Sequence, residues 1–353
     1  MLSISSTEML PFYDELPFQE LIPRHISHTV YQVLRYALIP SISVVGIVGN
    51  VISIRILTRQ GFRKCSNVLL VCLAFSDVLV LTGTNNFPVY IYNLNEPQVF
   101  MFSERINYLC YILAMIFLYI TVTGLVASML IPILITGERL LAIFCPLRVY
   151  FILTPCRIII LVIIIYILAT LYFIYTFVIC MQFRQTSIDG VSVGEIATTD
   201  LYVCDPRSQF TEVIDSIFNY STGIIPISLV MIGCVVIGTQ VVFITNRRKM
   251  LIASKVKLTR PIVSKTTKTL FSICVLFIVC SGFAFVFEFA SKFQPVLQEF
   301  TMQTIFGCVQ DFLVCINCVG NFIIYVGSNN NLRIIKGKTK LCNIRNICSS
   351  QEN

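Results

Sequence analysis

Charge is what this chain has least of. Asp, Glu, Lys and Arg make up 12% of its 353 residues, against 56% apolar ones. A water-soluble domain carries about twice that charged fraction. The shortage argues against a soluble enzyme, a nucleic-acid binder or a disordered tail, and no nucleic-acid partner is expected. Histidine is nearly missing as well. Its two copies, His25 and His28, precede the first apolar run. No histidine is therefore available inside a membrane as metal ligand, general base or proton relay. That removes a His-Glu-x-x-His zinc site and a Ser-His-Asp triad within the spans. There is no P-loop and no Gly-x-Gly-x-x-Gly opening a helix, and no enzymatic activity is expected. The fifteen cysteines fall mostly within apolar runs, where a cysteine serves as a small hydrophobe. Zinc-ribbon and redox readings of them are weak.

What the chain has instead is long apolar runs. A membrane-spanning helix needs about 20 mostly apolar residues. Seven stretches qualify: Tyr31–Leu57, Val68–Tyr92, Ile106–Leu140, Ile158–Met181, Val213–Ile244, Thr269–Phe289 and Met302–Val326. The expected fold is all-α, a seven-transmembrane helix bundle in the lipid bilayer. Residues 1–30 form a tail, 31–326 the membrane domain, and 327–353 a second tail. The stretch Met1–Glu20 carries four acids and no long apolar core, so no cleavable signal peptide is expected.

Basic residues orient the bundle. With the N-terminus outside and the C-terminus inside, 20 of the 26 Lys and Arg fall on the inner face, and 13 of the 18 acids fall outside. Cytoplasmic loops favour Lys and Arg in this way. Basic inner loops also meet anionic lipid at roughly 1 kcal/mol per charge.

Polar residues within the spans carry the functional signal. Asp77 sits midway along the second span. Asn50, Ser128, Asn317 and Asn321 lie at comparable depths in the first, third and seventh. Packed together they form one polar cluster around a lone carboxylate. Such a cluster is either a small-cation site or a satisfied interhelical network worth about 0.6–2 kcal/mol per bond. Glu138-Arg139 closes the third span at its inner end.

These residues carry a resemblance to rhodopsin-like G-protein-coupled receptors, running from about Val44 to Arg333. Gly49-Asn50 is similar to the family's Gly-Asn of the first span. Leu73-Ala74-Phe75-Ser76-Asp77 resembles its Leu-Ala-x-x-Asp. Glu138-Arg139-Leu140 with Pro146-Leu147 resembles its Asp/Glu-Arg-Tyr signature. Pro226 is similar to the fifth-span proline, and Phe277 with Cys280 to the start of Phe-x-x-Cys-Trp-x-Pro. Asn317, Asn321 and Tyr325 resemble Asn-x-x-x-Asn-Pro-x-x-Tyr, with Phe322 in place of the proline. The first inner loop, Thr58-Arg59-Gln60-Gly61-Phe62, looks like that of invertebrate neuropeptide and chemosensory receptors. The departures are specific. There is no tryptophan, so the fourth and sixth spans lack theirs, with Ser281 at the sixth-span position. Phe283 replaces the sixth-span proline, Cys234 a fifth-span tyrosine and Leu140 the tyrosine after Arg139. Pro132 adds a proline to the third span.

The resemblance implies an extracellular ligand and a heterotrimeric G protein as partners. It implies a G-protein switch at Glu138, Arg139 and Tyr325, and a pocket at Asn50, Asp77, Ser128, Asn317 and Asn321 in which Asp77 would hold a sodium ion. No other cofactor is expected. It implies a disulfide between Cys110 and Cys204, a short amphipathic eighth helix over Arg333–Lys340, and lipidation at Cys342 and Cys348. Cys315 stands where an opsin carries its retinal lysine. Thr121, at ligand-binding depth, stands where amine receptors carry aspartate. Glu288 and Asp311 lie near the outer mouth, and two carboxylates there favour a cationic ligand, unless they pair with Lys292 or Arg105. The expected ligand is a small basic neuropeptide. The alternatives are a chemosensory small molecule, a receptor that has lost coupling and, outside this class, a transporter.

Overall fold

The computed structural model describes residues 23–94, 99–145, 147–179, 181–188, 191–199, 213–214, 216–252, 265–294 and 299–328. Cys204, Cys342, Cys348 and the expected eighth helix lie outside the described residues. So does most of the N-terminal tail. Among the described residues, seven helices are long and apolar enough to cross a membrane: His25–Gln60, Cys65–Asn93, Glu104–Phe144, Pro155–Val178, Ser216–Phe243, Thr269–Ser291 and Thr301–Gly327. In hydrocarbon every backbone N–H and C=O needs an internal partner, and a helix supplies that within one segment.

Several helix ends differ from the hydropathy estimate. The first span begins before Tyr31, because helix Arg24–Gln32 runs directly into it. That opening turn is polar and so invisible to hydropathy. The second span is interrupted at Thr84–Asn86, after which helix Phe87–Leu94 resumes. The fourth was expected to reach Met181, but Met181 opens a β-strand. Gly61 closes the first span at φ 83°, a left-handed conformation that glycine adopts without steric cost. Thr154 caps the fourth, its hydroxyl accepting from the Arg157 amide at 3.4 Å, with Pro155 in the first turn, where its missing N–H is harmless. The third helix runs unbroken through Pro132. Thr136 donates its hydroxyl to the Pro132 carbonyl at 2.8 Å.

The second and third spans come closest together, and two glycines explain it. A Cβ on Gly124 would lie 2.8 Å from the Val80 amide nitrogen and 3.0 Å from the Ser76 carbonyl oxygen. A Cβ on Gly83 would lie 2.8 Å from the Phe117 carbonyl oxygen. Only bare backbone allows that approach, and it sets Asp77 opposite Ser128, one turn from Gly124. The main core joins Leu69, Leu73, Ala127, Ile131, Ile135, Ile158, Val230, Leu270, Ile273 and Phe277, contributed by five spans.

The outer connection after the fourth span is not irregular. Strands β1 (Met181–Ile188) and β2 (Val191–Thr198) form an antiparallel hairpin, in register from Met181↔Thr198 to Ile188↔Val191. It is an addition to the all-α expectation. Gly194 of β2 exchanges backbone hydrogen bonds of 2.8 and 2.9 Å with Phe100. Asn107, near the outer end of the third span, accepts from the Phe102 amide at 2.9 Å and donates to the Ser192 carbonyl at 3.3 Å. Phe183 stacks on Tyr111, ring centroids 4.9 Å apart. The hairpin is thus fastened to the mouth of the bundle.

Candidate functional site

Polar residues of the first, second, third and seventh spans meet around Asp77. Asp77 is fully buried. Its Oδ1 accepts from the Ser128 hydroxyl at 3.2 Å, and its Oδ2 from Asn321 Nδ2 at 2.9 Å. The Cys318 thiol also hydrogen-bonds this carboxylate, a partner that no motif pointed to. Asn50 joins from the first span, donating Nδ2 to the Cys318 carbonyl at 3.1 Å. Asn317 is buried one turn before Asn321 but makes no hydrogen bond to Asp77 among the described residues. The amide oxygens of Asn317 and Asn321 are both buried without a hydrogen-bond partner. A narrow cavity touches Asn50, Asp77, Asn321 and Tyr325. It has room for the centre of about one water-sized sphere, some 10 Å³, close to the least a buried water needs. Buried acceptors left unpaired beside a carboxylate are the donor set a small hard cation, or a water, would satisfy.

A second cluster sits at the inner end. Glu138 Oε1 accepts from the Ser66 hydroxyl at 2.7 Å. Arg139 Nη2 donates to the same Ser66 oxygen at 2.5 Å and lies 3.5 Å from Glu138 Oε2. Both ionic side chains are largely covered, at 13% and 11% exposure. Ser66, at the start of the second span, therefore bridges the acid and the base. Sequence reading missed it, since serine at a helix start is common and no spacing rule links it to Glu138. Tyr325 is buried in the seventh span, its hydroxyl accepting from Gln60 Nε2 of the first at 3.4 Å. Tyr166 of the fourth span shares a 2.9 Å hydrogen bond with Ser76, the neighbour of Asp77. It supplies a polar anchor in a span that has no tryptophan.

The outer residues differ more from expectation. Asp311 is bound by Arg35 of the first span, and the Lys292 side chain is outside what the structure describes. Arg35 also stands over the Tyr90 ring, 5.1 Å from its centroid. Thr121 donates its hydroxyl to the Phe117 carbonyl of its own helix at 2.9 Å and packs on Gly83. That turns it toward the second span. Glu288 lies on helix Lys265–Phe293, and its side chain is outside what the structure describes. Cys110 is half-buried on the third span, and its expected partner Cys204 is among the undescribed residues. One Cys-x-x-Cys pair, Cys315 and Cys318, exists in the seventh span. Both residues are fully buried against Ile39, Val80 and Leu81.

Among the described residues, seven apolar helices pack around a buried carboxylate, the arrangement of a multi-pass membrane protein. The chain belongs to the 7 transmembrane receptor (rhodopsin family), whose family model matches residues 49–325. It is thus a G-protein-coupled receptor of the plasma membrane. No curated protein matches the chain.

Proposed function

We propose that the chain binds a small basic neuropeptide at its outer mouth and passes the event to a heterotrimeric G protein at its inner face. The inner cluster carries this reading. Glu138, Arg139 and Ser66 form a closed, largely covered set at the inner end of the second and third spans. Opening it would free a guanidinium at the cytoplasmic surface. Ligand would shift the balance between closed and open states by its differential affinity for the two. Asp77, Ser128, Asn317 and Asn321 fit a sodium ion, which when bound would supply positive charge to the buried carboxylate. Asp77 links the second, third and seventh spans, so any rearrangement of that cluster is felt by all three.

Outer acids support a basic ligand. Glu195 lies on the hairpin, 3.7 Å from Arg184 and 39% exposed, and Asp311 keeps 30% of its side-chain surface exposed. One observation favours a second reading. Arg35 already neutralises Asp311, so a cationic ligand has to displace or share it, whereas a neutral chemosensory molecule does not. The test is guanine-nucleotide exchange on mixed G proteins in membranes carrying the full chain, with basic peptides, with small odorant-like molecules, and with Arg139→Ala as control. Exchange that rises with peptide and is lost in the variant supports the first reading. A rise with small molecules alone replaces it with the second. No response to either sinks both.

A further inference from the structure

Cys234 and Cys274 face each other where the fifth and sixth spans pack, and nothing above uses them. Both are buried, at 7% and 3% exposure, and their thiols are mutual neighbours. The third span fixes their placement. Gly233, next to Cys234, sits so tightly on Thr136 that any added Cβ would collide with the Thr136 methyl. Thr136 Oγ1 in turn lies 3.4 Å from Cys274 Sγ. Cys274 therefore has a hydroxyl and a second thiol beside it. A buried cysteine with purely apolar neighbours is inert, and the thiolate is the reactive form.

We propose that Cys234 and Cys274 form a redox modification site, oxidised by peroxide to a disulfide that joins the fifth and sixth spans. The Cys274 thiol gives up its proton, the thiolate attacks one peroxide oxygen, an S–O bond forms, the O–O bond breaks, and the departing hydroxide takes up that proton and leaves as water. The Cys234 thiol then attacks the sulfenic sulfur, the S–S bond forms and a second water leaves. Two thiols are oxidised and one peroxide is reduced. The bridge ties the sixth span to the fifth. An effect on G-protein coupling would rest on the function proposed above. The bridge itself does not, because it is read chemically.

The experiment uses the full chain in membranes. After hydrogen peroxide treatment the protein is denatured, alkylated with N-ethylmaleimide, digested and analysed by mass spectrometry. The expected result is a linked pair of peptides carrying Cys234 and Cys274. Dithiothreitol releases it, and it is missing in Cys234→Ser and in Cys274→Ser. Cys156, exposed at the start of the fourth span, reports that oxidant reached the protein. Oxidised Cys156 without the linked pair overturns the proposal. Phenylarsine oxide, which bridges adjacent thiols, gives a second reading on the unaltered chain. Joint protection of both cysteines from later alkylation supports the site, and independent alkylation of both overturns it.

Discussion

Arg35 on the first span and Asp311 on the seventh form an ion pair across 276 positions of the chain. The pair is partly covered, at 15% and 30% exposure, and the Tyr90 ring lies under the guanidinium. Removing one partner leaves the other charged in a site that excludes much of the solvent. Asp311→Asn is expected to cost about 1–3 kcal/mol, read from thermal unfolding of the purified receptor. Arg35→Gln combined with Asp311→Asn should cost less than the two single changes together, because coupled residues are non-additive. Additive costs would mean the ion pair contributes nothing.

Gly124 sets the distance between Asp77 and Ser128. With backbone atoms of Ser76 and Val80 at 3.0 and 2.8 Å from an added Cβ, Gly124→Ala must push the second and third spans apart. A loss of about 1–3 kcal/mol is expected, the usual cost of overpacking. Gly238→Ala is the contrast. No atom lies within 4 Å of its Cβ position, and replacing a mid-helix glycine there should be neutral or stabilise by up to about 1 kcal/mol. Equal effects at both positions would refute the close-approach account.

What the sequence revealed and what it hid divide along physical lines. The seven spans were legible because hydrocarbon demands long apolar runs, and Asp77 because a lone carboxylate in such a run stands out. Asn50, Ser128 and Asn321 followed from matching depth alone. The Arg35–Asp311 pair was not legible, since nothing local marks two charges so far apart in the chain. Ser66 was hidden for the same reason. The hairpin was missed although a signal existed: an Asp-Gly dipeptide at 189–190 lies between two β-prone runs, a strong two-residue hairpin cue. Hydropathy, which marks the spans, does not register a hairpin of mixed polarity.

Ser66 holds Glu138 and Arg139 through one hydroxyl. Ser66→Ala removes both hydrogen bonds while leaving the two charges in place. On the proposed mechanism the closed state weakens, and ligand-free nucleotide exchange rises. A change of about 1 kcal/mol moves such an equilibrium roughly fivefold. Basal exchange unchanged from the parent, at equal surface expression, would show that the hydroxyl does not restrain the switch.

Asp77→Asn tests the ion reading without emptying the cluster. An asparagine oxygen can still accept from Asn321 or Ser128, so the fold should persist with a stability change of about 1 kcal/mol or less. Charge is what is lost. Replacing potassium by sodium at constant ionic strength should alter nucleotide exchange by the parent receptor and leave the variant unaffected. Sodium sensitivity that survives in the variant would place the ion elsewhere.

Phe322 and Gly49 explain each other. Phe322 stands where the family has a proline, so the seventh helix keeps that backbone donor and runs continuously from Phe300 to Ser328. The large ring then needs space, and the first span provides it. An added Cβ at Gly49 would lie 2.6 Å from Phe322 Cγ and 2.7 Å from its Cε1. Those atoms sit near the root of a rigid ring and cannot swing away as a flexible chain end would. Gly49→Ala should therefore cost about 1–3 kcal/mol. Phe322→Ala alone should also destabilise, through lost packing. Together the cost should fall below the sum by about 0.5–3 kcal/mol, the range for residues in contact, because removing the ring opens the space that the new methyl fills. A thermal-unfolding cycle over the four proteins measures that coupling. Strict additivity would mean that Gly49 is small for some reason other than Phe322.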